Sequence, residues 1–129
     1  MIQKHPIYPL RIRQVPKQFS WVDQRLVRDR YMESCSHQAA ALYLFLVTVA
    51  DYQGLSYYSA PSIMKLLSMD ELTLGQARQN LIRLELIAYE KPLYQVLALD
   101  RTMDRTARSS SGQPLAIGQI LQRIMGGTA

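Results

Sequence analysis

The chain is poor in the residues that carry chemistry. Its 129 residues include one cysteine, Cys35, and two histidines, His5 and His37. A lone cysteine excludes an intramolecular disulfide and points to a reducing, cytoplasmic setting. The set is too small for a cysteine–histidine zinc site. His37 follows Cys35 by two residues, a spacing that puts the two on different sides of a helix, so no thiol–imidazole pair follows. Glycine is scarce, six in all, and no glycine-rich phosphate loop is present. The most apolar stretch, Ala39–Ala50, is 12 residues long, short of the ~20 that span a bilayer. The first residues do not read as a secretory leader. Asp70-Glu71 and the pair Asp100 and Asp104 have no histidine or third carboxylate converging on them. The expectation is a protein that is not an enzyme, with no metal, no cofactor and no membrane partner.

What is present is apolar mass and basic charge. Hydrophobic residues make up 48% and charged residues 19%, the balance of one soluble globular domain. The net charge of +5 is concentrated at one end. Residues 1–30 hold Lys4, Arg11, Arg13, Lys17, Arg25, Arg28 and Arg30 against Asp23 and Asp29, and the rest of the chain is balanced. Such asymmetry suits a polyanionic partner. The eight tyrosines fall mostly in or beside apolar segments, where amphipathic packing at the core edge is the simpler reading.

Four segments follow from composition. Residues 1–18 carry Pro6, Pro9 and Pro16, a density that disfavours helix and predicts an extended basic arm. Residues 19–99 form the folded part. It starts at Phe19 and Trp21, with a short helix expected within 23–32. Ser36 then caps a helix running to about Tyr52 and closed by Gly54. That helix is apolar nearly all round and must be covered by the arm, the C-terminal helix or a second subunit, which makes a homodimer the expected state. Residues 100–114, with Ser109-Ser110-Ser111-Gly112, read as a flexible linker. Residues 115–129 return to helical spacing through Leu115, Ile117, Ile120, Leu121, Ile124 and Met125, an amphipathic helix able to dock on a protein partner.

The segment from Ser59 to Leu99 is the most telling. A strand is expected at 55–58. Ser59 caps a short helix, Ala60–Leu67, with Pro61 in its first turn. Asp70 caps the next helix, Glu71–Leu86, whose start shifts to Thr73 if Thr73 and Gln76 form a capping box. Ile87–Glu90 and Leu93–Leu99 alternate at the strand period and pair across Lys91-Pro92. The predicted fold is mainly α with a small β-hairpin, an α+β winged helix-turn-helix. In the third of these helices Leu74, Ala77 and Leu81 share an inward face. The opposite face carries Thr73, Gln76, Gln79, Asn80 and Arg83, with no carboxylate after Glu71. Gln and Asn amides match the edge of adenine, and Arg matches guanine or phosphate. Gly75 permits close backbone approach near the helix start. Lys65, Arg78, Arg83 and Lys91 are offset by Asp70, Glu71, Glu85 and Glu90, so affinity for a polyanion would come from Arg11, Arg13 and Lys17 in the arm.

The run Leu81-Ile82-Arg83-Leu84-Glu85-Leu86-Ile87-Ala88-Tyr89 resembles the L-x-x-L-G-L-I ending of bacterial winged-helix domains. Ile63, Leu66, Leu67 and Met69-Asp70 are similar to their second helix and turn. The likeness covers about residues 19–99 and is nearest to primosomal replication initiators and small winged-helix proteins of mobile elements. It implies double-stranded DNA as partner, in transcription control, replication or transposition. It implies base reading by Gln76, Gln79 and Asn80, to which Thr73 is added by its place on the face, and phosphate contact by Arg83 and Lys91. Glu85 stands where the motif has glycine, which predicts a less sharp turn into the wing. A protein-interaction adaptor using Leu115–Met125 on the same scaffold is the alternative.

Overall fold

The computed structural model describes residues 3–99. The expected linker at 100–114 and helix at 115–129 lie outside the described residues. Backbone contacts divide the chain after Leu97, and the fold is that of the first unit.

Among the described residues four α-helices and three strands follow in order: α1 (Arg25–Arg28), α2 (His37–Val49), β1 (Leu55–Tyr57), α3 (Ala60–Leu67), α4 (Glu71–Arg83), β2 (Ile87–Glu90) and β3 (Leu93–Val96). This is an α+β fold, compatible with a winged helix. Three caps set the longer helices. Ser36 Oγ accepts the Ala39 N–H at 3.0 Å, Ser59 Oγ accepts that of Ser62 at 3.3 Å, and Asp70 Oδ1 accepts that of Thr73 at 2.7 Å. Each satisfies one backbone donor that a helix start leaves orphaned. Asp70, not Thr73, is therefore the cap of α4. Hydrogen bonds from Thr73 hold the Asp70 carboxyl below the usual carboxylate range. Ser68 takes a left-handed conformation, φ 54°, and ends α3 three residues before α4 begins.

The sheet is antiparallel in the order β1-β3-β2. β2 and β3 form the expected hairpin, Tyr89 facing Tyr94 and Glu90 facing Leu93. β1 completes the sheet on the other edge of β3. That central place puts Tyr94 wholly inside. Leu42 and Leu46 of α2, Ile63 of α3, Leu74 and Leu81 of α4, and Ile87 of β2 are also closed to solvent. Each such side chain contributes about 2 kcal/mol on burial.

Several boundaries differ from expectation for local reasons. α1 is one turn, because Leu26 is its single buried residue and one apolar anchor does not offset helix nucleation. α2 stops at Val49, since Asp51 Oδ1 accepts the N–H groups of Gln53 (2.8 Å) and Leu55 (2.9 Å) and draws the chain into a turn. Gly54 belongs to that turn and does not close the helix. β3 ends at Val96, but the Leu97 N–H still reaches the Leu86 carbonyl at 3.0 Å.

The arm does not cover α2. Residues 3–22 are exposed throughout, although Ser20 Oγ donates to the Thr48 carbonyl at 2.9 Å. α2 is covered instead by α4 and β3. Its outer residues are Ala41, Leu44 and Thr48, and Leu44 alone of these is large and apolar. Leu44 is thus the one large apolar side chain that α2 leaves for a second subunit to cover.

The turn from α4 into β2 is sharp despite the missing glycine. Glu85 adopts φ 60°. Its N–H reaches the Ile82 carbonyl at 2.9 Å, and the Leu86 N–H reaches that of Leu81 at 3.0 Å. This pair of bonds is a Schellman motif, with Leu81 and Leu86 in the accompanying apolar positions. A Cβ in the left-handed region costs on the order of 1 kcal/mol. Glu85→Gly is expected to stabilise the domain by about that much and to raise Tm by roughly 4–8 °C in a thermal melt. An unchanged or lower Tm would contradict this reading of the turn.

Candidate nucleic-acid interface

α4 is 13 residues long, about 20 Å, and lies across the domain with one face inward. Leu74, Ala77 and Leu81 are the buried positions, as the periodicity predicts. On the other side Thr73, Gln76, Gln79, Asn80 and Arg83 line one open groove with the first turn of α2. Gln76, Gln79 and Arg83 are exposed, and Thr73 and Asn80 are half-buried. Lys91 is exposed at the tip of the hairpin. Neither it nor the arm residues Arg11, Arg13 and Lys17 take part in the groove.

Asn80 has a structural task. Its Oδ1 accepts the Ser36 N–H at 2.8 Å, and its Nδ2 donates to the Ser34 carbonyl at 3.1 Å. The amide thus clasps α4 to the chain entering α2. A bidentate contact to adenine uses the same oxygen and the same nitrogen. The base-reading role expected for Asn80 competes with two bonds that hold the fold, and the free amides on this face are those of Gln76 and Gln79.

Gly75 also lines the groove. A Cβ there would meet nothing within 4 Å. Packing does not require glycine at this position, although in a helix it costs about 0.5–1 kcal/mol relative to alanine. Space beside the α4 backbone is open to an incoming group.

The basic end of the chain divides in two. Arg25 pairs with Asp23 at 2.7 Å, and that bond holds the Asp23 carboxyl below its ordinary range. Arg28 lies 3.9 Å from Asp29, and Arg30 lies 3.8 Å from Glu33. Arg11, Arg13 and Lys17 have no ion-pair partner among the described residues. The uncompensated charge is therefore in the arm proper, and it is fully accessible.

Arg78 was not among the expected site residues. Its guanidinium carbon sits 4.3 Å from the centre of the Tyr89 ring, and its Nε donates to Tyr94 Oη at 3.1 Å. The two rings are 4.4 Å apart, tilted by 32°. Burial pushes the Tyr94 hydroxyl pKa up, against an opposing pull from Arg78, so the phenol stays neutral and serves as acceptor. The signal available in the sequence was the two-residue connection Lys91-Pro92, which sets Tyr89 opposite Tyr94. Which face of α4 meets that pair is a tertiary matter. Cys35, half-buried with its thiol 3.6 Å from the Tyr31 carbonyl, has its pKa raised by burial and lacks the thiolate character of a nucleophile.

Among the described residues no helix is long and apolar enough to cross a membrane. No family model matches the chain, and no curated protein matches it. Among solved structures, the chain is similar to one from a structure described as "Structure of Rep-DNA complex", with 11% identity and a TM-score of 0.45, over 78% of this chain and 92% of that chain.

Proposed function

We propose that this protein binds double-stranded DNA and performs no chemistry on it, as a regulator of transcription or an accessory factor in replication or transposition. α4 enters the major groove with Thr73, Gln76 and Gln79 toward the base edges. Arg83 and Lys91 lie on flanking phosphates, and the arm follows the backbone through Arg11, Arg13 and Lys17. The observation that carries this reading is the outward face of α4. It is open along its length, bears two free amides and a terminal arginine, has no carboxylate after Glu71, and includes a glycine that packing does not require.

Fluorescence anisotropy with labelled duplexes tests it. Binding is expected at low salt, and the logarithm of affinity falls linearly with that of salt concentration. Gln79→Ala is expected to lose about tenfold at a sequence selected from a random pool, with the salt slope unchanged, as the loss of one base contact predicts. Absence of binding at low salt, or binding indifferent to salt, overturns the proposal.

A further inference from the structure

Arg78 is an arginine at the edge of the α4 groove whose plane is fixed before any ligand arrives. The Tyr89 ring lies beneath the guanidinium at 4.3 Å, and Tyr94 Oη takes the Nε hydrogen at 3.1 Å. Tyr94 is fully buried in the central strand, so the anchor itself does not move. Nη1 and Nη2 have no protein acceptor among the described residues, and the residue lines the open groove along α4. Among the described residues no carboxylate pairs with it, and the arginines in ion pairs are Arg25, Arg28 and Arg30. An arginine stacked on an aromatic ring, with one edge tied and the other free, loses little entropy on meeting a planar oxyanion pair. Two outward N–H groups match two phosphate oxygens.

We infer that Arg78 is a phosphate-binding residue, held by Tyr89 and Tyr94 at the junction of α4 and the hairpin, which clamps one DNA backbone phosphate between recognition helix and wing. The inference rests on the duplex-binding reading above. The position distinguishes Arg78 from Arg83 and Lys91. Those two are exposed side chains that must be ordered on binding, whereas Arg78 is ordered by the fold.

The test uses the full chain and a mixed-sequence duplex, titrated by anisotropy over a series of salt concentrations. Arg78→Gln is expected to weaken binding about tenfold, the loss of one charge-assisted contact, and to make the salt slope shallower by about 0.9. Arg78→Lys keeps the charge but lacks the planar fork, so it is expected to restore the slope and only part of the affinity. Urea midpoints of both variants check that the domain remains folded. A salt slope unchanged in Arg78→Gln overturns the inference, because an arginine that only braces the hairpin releases no counterion. If the parent chain itself does not bind the duplex, the broader reading fails with it, and that outcome is visible before any variant is made.

Discussion

Replacing Arg11, Arg13 and Lys17 together by glutamine is expected to weaken binding to duplex DNA roughly a hundredfold at low salt and to make the salt slope shallower by about 2.7. Each cation set on a phosphate releases a condensed counterion, and the slope falls by about 0.9 for each such contact removed from B-DNA. Lys4 near the chain start apart, the other basic residues of the first thirty are occupied locally. Arg25, Arg28 and Arg30 each have an acidic neighbour within 4 Å. The arm is exposed along residues 3–20 and contributes no side chain to the core. Its neutralisation should therefore leave the thermal midpoint where it was, which separates lost grip from lost fold. Anisotropy titration at several salt concentrations, beside a thermal melt, reads both quantities. A slope that does not change would move the grip from the arm to Arg83, Lys91 and Arg78.

Gly54→Ala is expected to be the most damaging small substitution in the described fold, costing on the order of 3 kcal/mol. Gly54 has φ 86°, a conformation that side chains rarely adopt. The added Cβ would lie 2.5 Å from the Val96 carbonyl oxygen and 3.3 Å from the Val96 nitrogen. Both are backbone atoms of the central strand and cannot swing aside. The same two residues are joined by a bond from the Val96 N–H to the Gly54 carbonyl at 2.8 Å, so relieving the clash breaks a sheet contact. The predicted fall in Tm is on the order of 15 °C. A melt within a few degrees of the parent would show that the turn before β1 can relax without disturbing β3. Glu85→Gly supplies the contrast, since it grants glycine to a left-handed position that lacks it.

Local chemistry is legible in this sequence, and contacts between distant segments are not. Ser36, Ser59 and Asp70 were readable as caps because capping is local: a short polar side chain bonds a backbone N–H three residues on. The inward face of α4 was readable because Leu74, Ala77 and Leu81 recur at the helical period. Gly54 reads locally as a helix end but lies in the turn after α2. Its neighbour Asp51 could make a turn of its own, and the close approach to Val96 is made by a strand more than forty residues later. Asn80 was assigned to the outward face by the same periodicity that placed Gln79, and it does stand toward that side. Its two bonds to Ser34 and Ser36 depend on how α2 crosses α4, which no local pattern records. Leu44 and the arm invert the lesson. An apolar helix implies a cover, but not whether that cover is the arm, the C-terminal helix, a second chain, or α4 and β3, which pack on it.

The sequence by itself determined the order of the helices from Ser36 to Leu84 and the caps that start them, the hairpin across Lys91-Pro92, the uneven placement of basic charge and the polar character of one face of α4. All of these are consequences of short-range periodicity, capping and composition. The tertiary structure alone decided that β1 joins the sheet beside β3, that Asn80 serves the fold and that Arg78 is stacked on Tyr89 and tied to Tyr94. Those contacts join residues far apart in the chain, and their geometry depends on the crossing of packed helices and strands rather than on any propensity of the residues themselves.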